Sequence, residues 1–221
     1  TYVGNDIQNN SIELAALRNE GYSPRPFFKL DAGGNLRLYN WRGTLPDDSA
    51  PAPNWLQRAV LSRPYPVMTP EAPAVLSTDP YTLEYPAQLG LYLPEDDTWA
   101  EAWAVSGAIL DQFAEIVPAQ GSALGVVVIP DRRAVHREDY ADTQAQYPFI
   151  GDYDAVAPVT RTVEQATAAG IPVLNTRSAL RVLEGAGGRA FLKLDGHLSP
   201  EGHQVVGDTL YDWLTTVYDL P

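Results

Sequence analysis

The 221-residue sequence has no cysteine, one methionine and three histidines. The missing cysteines exclude disulfides and thiol catalysis within these residues, and leave the compartment open. Positive charge is scarce: 15 Lys and Arg stand against 28 Asp and Glu, a formal net charge of −13. So acidic a chain repels phosphate backbones and anionic lipid, so neither nucleic acid nor an anionic membrane surface is an expected partner. There is no apolar run of about 18 residues, so no transmembrane helix is expected. Internal repeats and low-complexity tracts are also missing. What remains is a chain with 45% apolar residues, enough for a sizeable core in one domain.

The most informative stretch is near the end, from Phe191 to His203. An apolar run, Phe191-Leu192-Lys193-Leu194, stops at Asp195-Gly196-His197. A helix start follows. Ser199 suits the N-cap, and Pro200 suits the first helical position, where its missing N–H costs nothing. Val206, Leu210, Trp213, Leu214 and Val217 form the apolar face of that helix. Asp195 and His197 are two apart, and Gly196 permits a tight turn, so both side chains can lie on one side. A carboxylate so placed holds the imidazole Nδ1–H and leaves Nε2 as a general base. From these residues alone, a solvated Asp-Gly turn with a surface histidine is the other reading.

Upstream, Ile12, Leu14 and Leu17 suggest a short helix ending before Gly21. Phe28 and Leu30, the turn Ala32-Gly33-Gly34-Asn35, then Leu36 and Leu38 read as a β-hairpin. Residues 46–94 hold ten of the 19 prolines, together with Trp55, Tyr65, Tyr81, Tyr85 and Tyr92. Aromatics at this density favour an ordered insertion over a disordered linker. It forms one wall of a substrate cleft, or an extended covering with no role in function. Thr98-x-x-Glu101 reads as a capping box that opens a helix carrying Trp99, Ala102, Trp103, Ser106, Leu110, Phe113 and Val117, with Gly121 ending it. Leu124 to Ile129 reads as a buried parallel strand. The loop after it carries Arg132 and Arg133. Ligands bind beyond the carboxyl ends of such strands, so Arg132 or Arg133 is placed to meet a polar or anionic substrate, with Arg132 the candidate and a solvated role for at least one of the two. His136 has no motif partner and reads as a surface histidine. Asp139 to Pro158 reads as irregular, Val159 to Ala169 as a helix, Ile171 to Leu174 as a strand and Ser178 to Leu183 as a short helix. This alternation predicts an α/β fold with a parallel sheet covered on both faces.

Asp195-Gly196-His197-Leu198-Ser199-Pro200-Glu201-Gly202-His203 resembles the last conserved block of SGNH/GDSL hydrolases. Its D-x-H spacing, in place of the common D-x-x-H, is similar to the alginate O-acetyltransferase-like branch. Tyr2-Val3-Gly4-Asn5-Asp6 resembles the family's G-x-N-D block. The resemblance implies a three-layer α/β/α sandwich with a mainly parallel, flavodoxin-like sheet. It implies hydrolysis or transfer of an O-acyl ester through a serine acyl-enzyme, with no cofactor. His197 would be the general base, Asp195 its orienting acid and Asn5 an oxyanion donor. The substrate class it implies is a small-molecule or carbohydrate ester, acetylated carbohydrate in particular, and the setting extracytoplasmic. The family's nucleophile sits in a Gly-Asp-Ser segment ahead of the G-x-N-D block. These residues contain neither that segment nor a Gly-x-Ser-x-Gly elbow. The expectation is therefore a single SGNH-like domain over 1–221, N-terminally incomplete, with 27–94 as a hairpin and Pro-rich insertion. The serine would lie upstream of Thr1, and an N-terminal fragment would be a partner. Two other readings are a non-catalytic relative serving as a binding or scaffold module, and a metal-dependent hydrolase using Asp195, His197 and His203. The positive end of a helix near His203 disfavours the latter.

Overall fold

The fold is α/β, and the computed structural model describes residues 3, 6–11, 13–14, 27–39, 87–93, 95–193 and 196–218. The chain divides into two compact units. One comprises Ile7–Ala87 and Glu95–Ser122, the other Thr1–Asp6, Gln88–Pro94 and Ala123–Pro221.

In the first unit, a short helix α1 (Asp6–Asn10) is followed by strands β1 (Phe27–Leu30) and β2 (Leu36–Tyr39). The strands pair antiparallel, from Phe27 opposite Tyr39 to Leu30 opposite Leu36, as the alternation predicts. Asp31 makes the turn. Its Oδ1 accepts from the N–H groups of Gly33 and Asn35, each at 2.9 Å, and Gly34 takes φ 78°. The long helix α2 (Asp97–Ala119) buries Trp99, Ala102, Trp103, Val105 and Ser106. Its cap is Asp96, not Thr98: the Asp96 carboxylate accepts from Trp99 N at 2.9 Å, and the helix begins ahead of the expected box. Both residues are capping types, and the ionised one offers the stronger acceptor to an N–H at the positive helix end. Gly121, at φ 74°, ends the element as expected.

In the second unit, strands β3 (Val126–Val128) and β4 (Val173–Asn175) pair in parallel, Val126 beside Val173. Among the described residues four α-helices accompany them: α3 (Arg137–Gln146), α4 (Ala157–Ala168), α5 (Arg177–Gly185) and α6 (Pro200–Tyr218). Helix α3 takes up the first part of the stretch expected to be irregular, from Asp139 to Gln146. Arg137-Glu-Asp-Tyr-Ala-Asp-Thr-Gln-Ala-Gln has no apolar period, and Thr143 is its one buried residue. Glu138 and Asp139 in the first turn, where the helix dipole favours acids, support it instead. Val135, Leu180, Ala190 and Phe191 form a buried cluster, packed by Leu183, Leu198, Val205 and Val206. Along α6, Leu210, Trp213 and Leu214 are half-buried as expected, but Val217 is 41% exposed. The reason is its neighbour. Tyr218 Oη donates to Leu124 O at 2.6 Å, and adjacent helical side chains point about 100° apart. Gly125 fits under this corner, since a Cβ there would lie 2.6 Å from both Trp213 and Tyr218. Residues 41–86, with Trp55, Tyr65, Tyr81 and Tyr85, lie outside the described residues.

Candidate functional site

His197 stands on a loop that is closed at its base. Phe191 and Leu198 form an antiparallel bridge, Leu192 N donates to His197 O at 2.8 Å, and Ser199 N donates to Ala190 O at 2.9 Å. The imidazole is exposed at the end of this pinched loop. Leu194 and Asp195 lie outside the described residues, and so does Asn5. Val3, two residues before Asn5, is buried, and its N–H donates to Ile129 O at 3.1 Å. Val3 is thus joined to the residue that follows β3.

The residues after His197 anchor the loop. Ser199 Oγ accepts from Gly202 N at 2.9 Å, as an N-cap should, and itself donates to Arg189 O. Glu201 Oε2 accepts from Arg189 N at 2.7 Å. Gly202 is buried, and a Cβ there would come 2.1 Å from Ala190 O. Only glycine lets the first turn of α6 lie this close to the Ala190 backbone. From the other side, Glu184 Oε1 at the end of α5 accepts from Ala190 N at 2.7 Å. The Ser-Pro-Glu-Gly run is therefore a clamp on Arg189 and Ala190, and it fixes where His197 emerges. His203, by contrast, is exposed, and its part at the helix start is a backbone bond, His203 N to Ser199 O at 2.8 Å. No group of three His, Cys, Asp or Glu among the described residues is arranged to hold a metal ion.

The two arginines after β3 differ. Arg133 Nη1 lies 3.0 Å from both carboxylate oxygens of Asp131, and its Nε donates to Thr143 Oγ1 at 3.0 Å. Its guanidinium is 6.0 Å from the Tyr92 ring centroid. Burial pulls the Arg133 pKa down, but the Asp131 carboxylate and Tyr92 outweigh it and raise the pKa. Tyr92 in turn is pushed well above its ordinary 10.0, by burial first and then by the Asp131 charge. Arg133 is thus committed to holding the loop. Arg132 points elsewhere, with Nε 3.6 Å from Asp139 Oδ1. It lines a cavity of about 240 Å³ together with His136, Glu184, Arg189, Leu192 and Lys193. That cavity borders the segment leading to His197.

His136 is the residue that sequence reasoning missed. It lies between two carboxylates, Nδ1 3.1 Å from Asp139 Oδ2 and Nε2 3.6 Å from Glu184 Oε2. Nδ1 is buried, and the Asp139 contact is close but not aligned as a hydrogen bond. His136 is the residue that precedes α3, and Asp139 comes three later. Side chains three apart at a helix start are neighbours, and this i,i+3 spacing was the available signal.

A family model described as the SGNH hydrolase-like domain of the acetyltransferase AlgX matches residues 91–217, more than half of the chain. No curated protein and no solved structure matches. The matched span includes the His197 loop, its clamp and the Arg132 cavity.

Proposed function

This chain belongs to the SGNH hydrolase-like domain family of the acetyltransferase AlgX, and from that premise we propose that it acts on O-acyl esters by hydrolysis or acyl transfer. The observation that carries the reading is the presentation of His197: an exposed imidazole on a loop whose two ends are bonded to each other and clamped to α5 and α6. A general base must meet its proton donor at hydrogen-bond distance, and a loop held in this way limits the misplacement that weakens such catalysis.

In this reading His197 Nε2 removes the proton of a serine hydroxyl while the serine oxygen attacks the acyl carbon. Asp195 keeps the imidazole oriented and balances its charge. The Asn5 amide donates to the oxyanion of the tetrahedral intermediate. The imidazolium returns the proton to the departing alkoxide, which leaves an acyl-serine. Water then completes a hydrolysis, or a second hydroxyl a transfer. The serine belongs to a Gly-Asp-Ser segment on the first strand of a three-layer sandwich, a segment these 221 residues do not contain. Ser11, Ser106 and Ser199 have structural hydrogen bonds of their own. The ester is that of a small molecule or a carbohydrate, with Arg132 at the cavity beside the loop to receive polar groups of the alcohol portion.

The test uses the natural protein that carries these residues, with a short-chain aryl ester as substrate. His197→Ala is expected to lower kcat by about 100-fold or more, the low end of general acid–base contributions. His203→Ala, at an exposed position, is expected to keep kcat within about twofold, since its imidazole takes no part in that contribution. Wild-type kcat in the His197 variant would end the proposal. A protein that neither turns over esters nor reacts with a fluorophosphonate would be a non-catalytic relative.

A further inference from the structure

A second cavity in the same unit, of about 330 Å³, is walled by the segments that follow β3 and β4. Its charge is unlike that of the chain. Arg137, Arg177 and Arg181 line it against one carboxylate, Asp154, while Arg133 at its edge is neutralised by Asp131. Two positive charges therefore remain on the walls of one concavity, in a protein whose formal net charge is −13.

Two of these arginines stand where a helix alone would not put them. Arg177 and Arg181 are four apart on α5, a like-charged pair that destabilises a helix by a few tenths of a kcal/mol. Arg177 is the first residue of α5 and Arg137 opens α3, positions at which the helix dipole opposes a cation. Val156, just ahead of α4, lines the same space, so the N-terminal ends of three helices border it. Arg177 is also held in place: its Nε donates to Ala134 O at 2.8 Å, which fixes the plane of the guanidinium. Burial and the Arg181 charge together lower the Arg177 pKa, so the pair is under mutual repulsion that an anion would relieve. The aromatic wall is rigid as well, with the Tyr140 and Tyr153 rings stacked at 4.4 Å.

We propose that this cavity binds a compact dianion, carried either by a phosphate group or by a small dicarboxylate. Two uncompensated positive charges match a dianion, and a fixed, planar guanidinium suits the bidentate geometry of such oxyanions. The volume, about 330 Å³, is at the small end of ligand cavities, a size that suits a compact anion. The proposal is independent of the ester reading, because it invokes neither His197 nor a serine. Its readout is binding, so either can fail without the other.

The test is calorimetric titration of the full chain with inorganic phosphate, succinate and chloride at matched ionic strength. Saturable one-site binding of phosphate, succinate or both is expected at millimolar concentration or below, with no saturation by chloride, and the dianion that saturates identifies the source. Arg177→Gln and Arg181→Gln are each expected to weaken it by about tenfold or more, the loss of one charge-assisted contact. Arg181 is exposed, so its variant keeps the test informative should Arg177→Gln fold poorly. Arg189→Gln, on the other cavity, is the control and should bind within about twofold of the wild type, since it removes no contact to the anion. Equal, non-saturating heats from phosphate, succinate and chloride would overturn the proposal, as would wild-type affinity in Arg181→Gln.

Discussion

Replacing Gly202 by alanine sets two effects of opposite sign against each other, and the structure decides between them. Helix propensity favours the substitution: alanine in place of glycine within a helix is worth about 1 kcal/mol. The added Cβ, however, would lie 2.1 Å from Ala190 O, 3.0 Å from Ala190 C and 3.3 Å from Ala190 Cα. These are backbone atoms that cannot rotate away. Ordinary C···O contacts begin near 3.3 Å, so the first turn of α6 must retreat by about 1 Å. Such overpacking costs about 1–3 kcal/mol. The retreat also stretches Ser199 N to Ala190 O and Glu201 Oε2 to Arg189 N, worth about 1 kcal/mol each. A net destabilisation of about 2–4 kcal/mol follows once the propensity gain is subtracted. Gly207 in the same helix supplies the comparison. A Cβ there meets nothing within 4 Å, so Gly207→Ala should gain about 1 kcal/mol. Urea unfolding of the two variants followed by circular dichroism reads the difference directly. If Gly202→Ala is as stable as Gly207→Ala, the close approach of α6 to Ala190 is wrong, and the clamp on the His197 loop goes with it.

Three further expectations follow from the geometry. Asp96→Ala should cost about 1 kcal/mol as the loss of an N-cap, and Thr98→Ala much less; equal losses in thermal unfolding would restore the Thr98 box. Because burial raises the Tyr92 pKa above its ordinary 10.0, the folded state holds that proton more tightly than the unfolded chain. Its contribution to stability is then complete below pH 10.0 and is lost as pH rises through the higher folded value. Tyr92→Phe should flatten the alkaline loss of stability, and an unchanged pH profile would contradict the assignment. His136→Ala leaves Asp139 and Glu184 facing a gap, and its cost should shrink by about 0.5 kcal/mol or more when Glu184 is already Gln. Strict additivity in that double-mutant cycle would show that the two side chains do not interact.

What was legible in the sequence is what local chemistry dictates. The hairpin could be read because apolar alternation and the Asp31 to Asn35 turn agree on one register. The parallel pair could be read because valine runs and helical periods alternate, although each strand pairs over three residues only. Helix α3 could not, since its ten residues bury only Thr143 and so leave no periodic trace. Arg132 and Arg133 could not be told apart by their place on the loop. The distinction comes from Asp131, two before Arg133 and on its side, which takes that guanidinium and leaves Arg132 to the cavity. In the candidate site, the Asp195 to His203 block was recognisable as a unit, but its Ser-Pro-Glu-Gly portion reads as a clamp only once Arg189 and Ala190 are seen beneath it. The arginine cavity was invisible because Arg137 and Arg177 are far apart in sequence and meet only through the fold.

These contacts also bear on where a reaction could take place. Ligands of open α/β sheets bind beyond the carboxyl ends of the strands. From the end of β3, Arg132 reaches Asp139, Asp139 and Glu184 flank His136, and Glu184 accepts from Ala190 N at the foot of the His197 loop. Immediately after β4, Thr176 Oγ1 donates to Val128 O at 3.0 Å, and the next residue opens α5, whose other end carries Glu184. Two routes therefore lead from the carboxyl ends of the parallel pair to the residues under His197, and both pass through Glu184. A loop tied in this way has its foot bonded to that framework. An imidazole on a freely moving loop would spend little time at the distance a proton transfer needs. The general-base role proposed for His197 draws on this framework, which ties the foot of its loop to residues that follow β3 and β4.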